Sequence, residues 1–320
     1  MSRAFGPCPS VARGTSPRAT RRLSLVVAPV LFGLLLVILS GVACAPTSTA
    51  SDPRTIQIVA AENFYGDLAT QLGGDRVHVV SILKDPSVDP HEYESSVDDA
   101  KAVADARIVI KNGAGYDAFV DRLLAASPRS QRVVIDVSQL TGHRSGDNPH
   151  VWYDPPTMPK VAGRLTDELT RLDPADKDYF AQRLKAFNTS EQAVDERIAT
   201  LKSRYAGTNV LPTEPVFDYM AEALGLTIVD RDGAFQKAVE EGNDPPASAV
   251  GAFRRQIASR TIKALIYNRQ AVTPITTQML DYARQNGVPI VAVSETEPTG
   301  KTYQQWMLDQ LGELQKALEG

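Results

Sequence analysis

DKDYFAQRLKAFNTSEQAVDERIATLKSRY (176–205) places Phe180, Leu184, Phe187, Val194, Ile198, Leu201 and Tyr205 at steps of three, four or seven residues. That spacing lays one apolar stripe along a helix. About 30 residues at 1.5 Å each make a rod of about 45 Å. Asp173-Pro174 precedes the run and Gly207 follows it, as helix boundaries prefer. A packing helix on a single domain is the plain alternative. The length favours a helix that runs along two lobes.

On either side of this rod the chain alternates short β-rich runs with helical stretches. Before it, strands are predicted at 56–61, 77–83, 107–113 and 132–138, with helices over 63–74, 95–106 and 116–127. After it, strands are predicted at 209–214, 226–230, 263–268 and 289–293. Helices are predicted over 216–225, 249–259, 275–286 and 303–318, and RDGAFQKAVEEGNDPPAS (231–248) reads as a polar loop. Strand-helix alternation signals βαβ units and parallel sheets. The expected fold is therefore α/β: two parallel-sheet lobes joined by one long rigid helix. The expected boundaries are a signal peptide at 1–43, a tether at 44–54, an N-terminal lobe at 55–172, a connecting helix at 173–206 and a C-terminal lobe at 207–320.

The first fifty residues contain no acid, and Arg3, Arg13, Arg18, Arg21 and Arg22 are all basic. LSLVVAPVLFGLLLVILSGVA (23–43) then forms an apolar run. Basic and apolar regions in that order read as an export signal. The run is also long enough for a membrane-spanning anchor, since about 20 apolar residues suffice. GVAC (41–44) favours the signal, because small residues before a cysteine resemble a bacterial lipobox with Cys44 acylated. Gly41 stands where such motifs usually carry Leu. Arg21-Arg22 hints at twin-arginine export. APTSTASDP (45–53) reads as a small polar tether. Lipid anchoring would hold the protein on the extracytoplasmic face of the cell membrane.

Composition narrows the chemistry. The formal charge is −4, from 34 basic and 38 acidic residues, which argues against nucleic-acid binding. Two cysteines, Cys8 and Cys44, cannot make a disulfide scaffold or a four-thiolate zinc site. Only His78, His91, His143 and His150 are present.

Four predicted strand ends carry metal-capable side chains, and ligands of open α/β sheets bind at the carboxyl ends of strands. DPSVDPHEYE (85–94) contains His91, and NPHVWYDP (148–155) contains His150. LPTEPVFDY (211–219) contains Glu214, and VSETEP (293–298) contains Glu295 and Glu297. Each turn includes Pro, which restrains its backbone. Two imidazoles and two carboxylates balance a doubly charged ion, and such a mixed donor set suits zinc or manganese. Four protein ligands with no open position make a holding site rather than a catalytic one. Asn268 and Tyr267 lie at another strand end as rim residues. His143, in the polar TGHRSGD loop (141–147), is a candidate imidazole at the mouth of the site. Glu92 and Glu94 read as surface charges, Asp154 as a helix cap, and His78 as a strand residue.

These motifs resemble the metal-specific solute-binding lipoproteins of bacterial ABC importers, the zinc and manganese receptors. The resemblance runs over about 55–319. It rests on DPHEYE, NPHVWYDP, the long helix containing YFAQRLKAF, TEPVFDYMAEALG and VPIVAVSETEPTGKTYQQWM. It implies one divalent transition-metal ion, zinc or manganese, held between the lobes by His91, His150, Glu214 and Glu295. Glu297 is the alternative fourth ligand. It also implies an ABC permease as partner, a monomer, and no enzymatic activity. Glu214 resembles the manganese-type members, and no His-rich loop precedes NPHVWYDP, unlike many zinc receptors. A zinc-dependent hydrolase using Glu92 or Glu94 as base is one alternative, although no HExxH motif or nucleophile elbow is present. A metal-independent surface adhesin is the other.

Overall fold

The computed structural model describes residues 55–320 apart from 88, 89, 91, 92 and 232. His91, Cys44, the signal peptide and the 44–54 tether therefore lie outside the described residues.

The first sheet gathers β1 (Ile56–Glu62), β2 (Val77–Leu83), β3 (Ile108–Lys111) and β4 (Val133–Asp136). The helices between them are α1 (Asn63–Gly73), α2 (Val97–Asp105) and α3 (Ala118–Ala126). The short α4 (Val137–Thr141) and then α5 (Thr157–Leu172) lead into α6 (Lys177–Tyr205). The second sheet gathers β5 (Asn209–Pro212), β6 (Thr227–Ile228), β7 (Ala264–Asn268) and β8 (Ile290–Val293). Its helices are α7 (Asp218–Ala223), α8 (Ala234–Glu240), α9 (Ala247–Ala258), α10 (Pro274–Gln285) and α11 (Tyr303–Glu319).

Both sheets have the same topology. The strand orders are β2-β1-β3-β4 and β6-β5-β7-β8, and every pairing is parallel. Helical crossovers impose this, since parallel neighbours cannot be joined by a tight turn. The central strand β1 is buried at five consecutive positions, Ile58–Glu62, as a strand covered on both faces should be.

Local chemistry sets the boundaries. Ser96 and Asp99 form a reciprocal capping box on α2, and Thr302 with Gln305 does the same for α11. The rod α6 is 29 residues long and buries Phe180, Phe187, Val194, Ile198 and Leu201. It ends at Tyr205, and Gly207, two residues on, takes a φ of +80°, the left-handed turn that glycine adopts without strain. The stripe also buries Glu191, a position four after Phe187 and three before Val194.

Four details depart from the sequence expectations. The polar loop 231–248 contains α8, because Phe235 and Val239, one turn apart, both bury in the second core cluster. The strand expected at 226–230 pairs only over Thr227–Ile228, where β5 offers two partners. The strand expected at 132–138 stops at Asp136, whose carboxylate accepts from the Gln139 N–H at 3.0 Å and starts α4. Asp154 makes no side-chain cap on α5; its carbonyl oxygen instead accepts from the Thr157 N–H at 2.9 Å.

One apolar core reaches both sheets. It includes Phe64 and Trp152 from the first half, Phe187 and Val194 from α6, and Phe217, Val293 and Trp306 from the second half. A separate cluster, with Leu211, Phe253, Leu265 and Met279, covers the outer side of the second sheet. Among the described residues, no helix is long and apolar enough to cross a membrane.

Candidate metal centre

The loops at the carboxyl ends of the two sheets meet around His150. The loop after β3 is fixed first. Asp117 accepts from the Asn112 N–H at 2.7 Å and the Gly113 N–H at 2.9 Å. Gly113 has φ +76°, and a Cβ there would fall 2.4 Å from both Asp136 Oδ1 and Ser138 Oγ, so only glycine fits. Burial pushes the Asp117 carboxyl up to about 6 despite those two donors. Asn112 then reaches outward. Its Oδ1 accepts from Tyr65 Oη at 2.8 Å, and its Nδ2 donates to the Pro149 carbonyl oxygen at 2.8 Å. The residue next to His150 is thereby clamped to the first sheet.

Asn148 completes the clamp. Its Oδ1 accepts from the His150 N–H at 3.0 Å and lies 2.7 Å from His150 Nδ1. An amide oxygen only accepts, so Nδ1 carries a proton, and Nε2 is the ring nitrogen turned toward Glu295. Asn148 Nδ2 donates to the Pro215 carbonyl oxygen at 2.8 Å, tying the loop that carries His150 to the loop that carries Glu214. His150 packs edge-on against Trp152, with ring centroids 5.2 Å apart, and Trp152 stacks on Phe64 at 4.7 Å.

Glu295 comes from the opposite side. Its Oε2 stands 3.4 Å from His150 Nε2, and both side chains are completely buried. Two donors sharing one tetrahedral ion at 2.0–2.2 Å each stand about 3.4 Å apart. Oε2 also accepts from Tyr116 Oη at 2.7 Å, and Oε1 accepts from Asn268 Nδ2. The Glu295 N–H donates to Gln270 Oε1 at 2.8 Å. The structure thus brings His150, Glu295 and Asn268 together.

Glu214 follows β5, in extended backbone, and is 2% exposed. Glu297 lies elsewhere. Its main chain pairs with Asn63, and its carboxyl is pushed up to about 9 by burial and by the Asp67 carboxylate. His143 lies further out, with Nδ1 2.8 Å from Thr141 Oγ1 and its ring 5.2 Å from that of Tyr219. It lines a cleft of about 990 Å³ together with Tyr116, Asp147, Asn148, Asp218 and Glu222. Glu94 is exposed. Among the described residues no three His, Cys, Asp or Glu side chains converge as a metal cage, so Glu214 is not gathered with His150 and Glu295; His91 is not one of the described residues.

Sequence reasoning missed Tyr116, Asn148, Asn112 and Gln270. Asn148 had a local signal, since an Asn two residues before a candidate ligand can reach its ring. The others depend on contacts between distant segments.

The model of the ZnuA family, described as zinc-uptake complex component A, periplasmic, matches residues 58–317. The manganese-binding lipoprotein MntA of Halalkalibacterium halodurans is 25% identical over 205 residues, covering 61% of this chain and 67% of that protein. The manganese ABC transporter substrate-binding lipoprotein PsaA of Streptococcus pneumoniae is 24% identical over 220 residues, covering 64% and 68% respectively. The periplasmic zinc-binding protein TroA from Treponema pallidum superposes with a TM-score of 0.69 at 19% identity, over 82% of this chain and 99% of that one. The solute-binding protein FpvC from Pseudomonas aeruginosa, solved with Mn²⁺, superposes with a TM-score of 0.68 at 20% identity, over 83% and 98%. These superpositions show a shared fold.

Proposed function

We propose that this chain, which belongs to the ZnuA family of periplasmic zinc-uptake components, captures one divalent transition-metal ion, zinc or manganese, and delivers it to an ABC permease. The observation that carries the reading is the buried pair of His150 Nε2 and Glu295 Oε2, 3.4 Å apart, with the imidazole Nδ1 proton held by Asn148. A lone-pair nitrogen and a carboxylate oxygen at that separation suit one borderline cation. The proposed ligand set is His91, His150, Glu214 and Glu295. Glu295 is preferred to Glu297 because its carboxylate is the one beside His150, whereas the Glu297 main chain is paired with Asn63 and its carboxyl faces the Asp67 carboxylate; Asn268 orients Glu295 without ligating.

The relatives named above divide between zinc and manganese, and the donor set admits either ion. The capture chemistry is exchange of the hydration shell for fixed ligands. A closed four-ligand cage holds its ion and activates no water, so the protein acts by binding rather than turnover. The lobes divide as 55–172 and 207–320, with 173–206 between them. A monomer held by acylated Cys44 on the extracytoplasmic face would present the site to a permease.

The test is calorimetric titration of metal-stripped protein with Zn²⁺ and Mn²⁺, alongside His150→Ala. Tight binding at one ion per chain, lost in the variant with unchanged circular dichroism, supports the reading. Equal affinity in the two proteins refutes it.

A further inference from the structure

Glu295 is held from both sides by donors that are not ligands. Tyr116, in the loop after β3, donates to Oε2 at 2.7 Å from 179 residues away, and Asn268, at the end of β7, donates to Oε1. Both donors are nearly buried, at 8% and 1% exposure. Tyr116 is itself fixed. Its ring packs edge-on against Trp152 at 5.0 Å and His150 at 5.9 Å, and the Asp117 loop pins its backbone. Asn268 is fixed by the Gln270 N–H, which donates to its Oδ1 at 3.0 Å.

A carboxylate oxygen has two lone-pair directions. Oε1 is held toward Asn268 and Oε2 toward Tyr116 and His150, so the Glu295 carboxylate cannot turn freely about its terminal torsion. It is set to face His150 through Oε2, the oxygen that Tyr116 also holds. We infer that Tyr116, with Asn268, is a positioning residue that restricts Glu295 to one-oxygen coordination and so biases the receptor toward a four-coordinate ion, zinc, over an ion that prefers six ligands, manganese. This inference rests on the metal-receptor reading given above and deepens it.

Two features of the site agree. The 3.4 Å gap between His150 Nε2 and Glu295 Oε2 lets one four-coordinate ion with legs near 2.1 Å touch both atoms without moving either. Tyr116 also lines the cleft of about 990 Å³, so one residue touches both that cleft and the buried pair. A donor to a ligating carboxylate is the kind of outer partner whose loss changes affinity tenfold or more.

The test is competitive titration of the full chain, stripped of metal, with Zn²⁺ and Mn²⁺, comparing wild type with Tyr116→Phe. Phenylalanine keeps the ring against Trp152 and His150 and removes only the hydroxyl. Zinc affinity is expected to fall about 10- to 100-fold, and manganese affinity to change by less than about threefold, so that the zinc preference narrows about tenfold. X-ray absorption of the zinc-loaded variant should show a longer, more populated oxygen shell. Asn268→Ala, which releases the other oxygen, should narrow the preference in the same direction and serves if Tyr116→Phe folds poorly. Equal changes for both ions, or none, would overturn the inference while leaving the receptor reading intact. Failure of the wild-type protein to bind either ion would overturn both.

Discussion

Asn63 and Glu297, 234 residues apart, exchange two hydrogen bonds: Asn63 Nδ2 donates to the Glu297 carbonyl oxygen at 2.7 Å, and the Glu297 N–H donates to Asn63 Oδ1 at 3.0 Å. The side chain of one residue mimics a strand neighbour for the main chain of the other. The pair joins the start of α1 to the loop after β8 that also carries Glu295. Next to it, Asp67 Oδ2 accepts from the Tyr303 N–H at 2.9 Å, so α1 holds both that loop and the start of α11.

Replacing Asn63 by Ala leaves two main-chain groups in a largely enclosed place without partners. The expected loss is about 1–3 kcal/mol, read as a lower urea midpoint with an unchanged slope. Metal affinity should weaken as well, because Glu295 lies two residues from the released carbonyl. A wild-type midpoint would show that water replaces the amide without cost.

Glu191 makes stability pH-dependent. Its Oε1 accepts from Gln304 Nε2 at 2.8 Å, and Gln304 Oε1 accepts in turn from Gln71 Nε2 at 3.0 Å, linking α6, α11 and α1. Burial pushes the Glu191 carboxyl up to about 7, with the Asp195 and Asp67 carboxylates adding to the effect. The folded state therefore holds this proton more tightly than the unfolded chain does. Its contribution is most favourable below the unfolded value of about 4.5 and is lost as pH rises toward and through 7. Glu191→Gln keeps the acceptor oxygen and should raise stability at pH 8 by about 1–3 kcal/mol. The gain should vanish near pH 4. A constant difference between variant and wild type at both pH values would contradict this assignment.

Asn148 acts on His150 and on Pro215 at once. Asn148→Ala frees the imidazole to adopt the other tautomer and unties the two loops. Metal affinity should fall about 10- to 100-fold, mostly through faster dissociation. A stopped-flow chelator chase measures that rate directly, and an unchanged rate would remove Asn148 from the site.

Cys44→Ser should shift the protein from the membrane fraction to the soluble extracytoplasmic fraction. Retention in the membrane after carbonate extraction would instead favour the apolar run 23–43 as a spanning anchor.

The sequence made the repeating elements readable because their signals are local. The stripe of α6 and the alternation of strand and helix each follow from residues within one or two turns of each other. Helix α8 escaped because its two buried anchors, Phe235 and Val239, are surrounded by Lys237, Glu240 and Glu241, so its composition resembles a loop. Glu191 interrupts an apolar stripe with a charge. That interruption was visible, but its partner Gln304 lies 113 residues away. Tyr116 was unreadable for the same reason, since nothing near it in the chain announces a bond to Glu295. His150 and Glu295 were legible as candidate donors, whereas the atoms that orient them are set by tertiary contact.

The apolar core that spans both sheets has a consequence for transport. Swinging the halves apart would wet Trp152, Phe217 and Trp306 together, and a close-packed interior resists such gradual deformation. Empty and laden molecules should then offer an importer nearly the same silhouette. A cell that overproduces this receptor under metal starvation should therefore slow its own uptake, as vacant copies crowd the transporter's outer mouth.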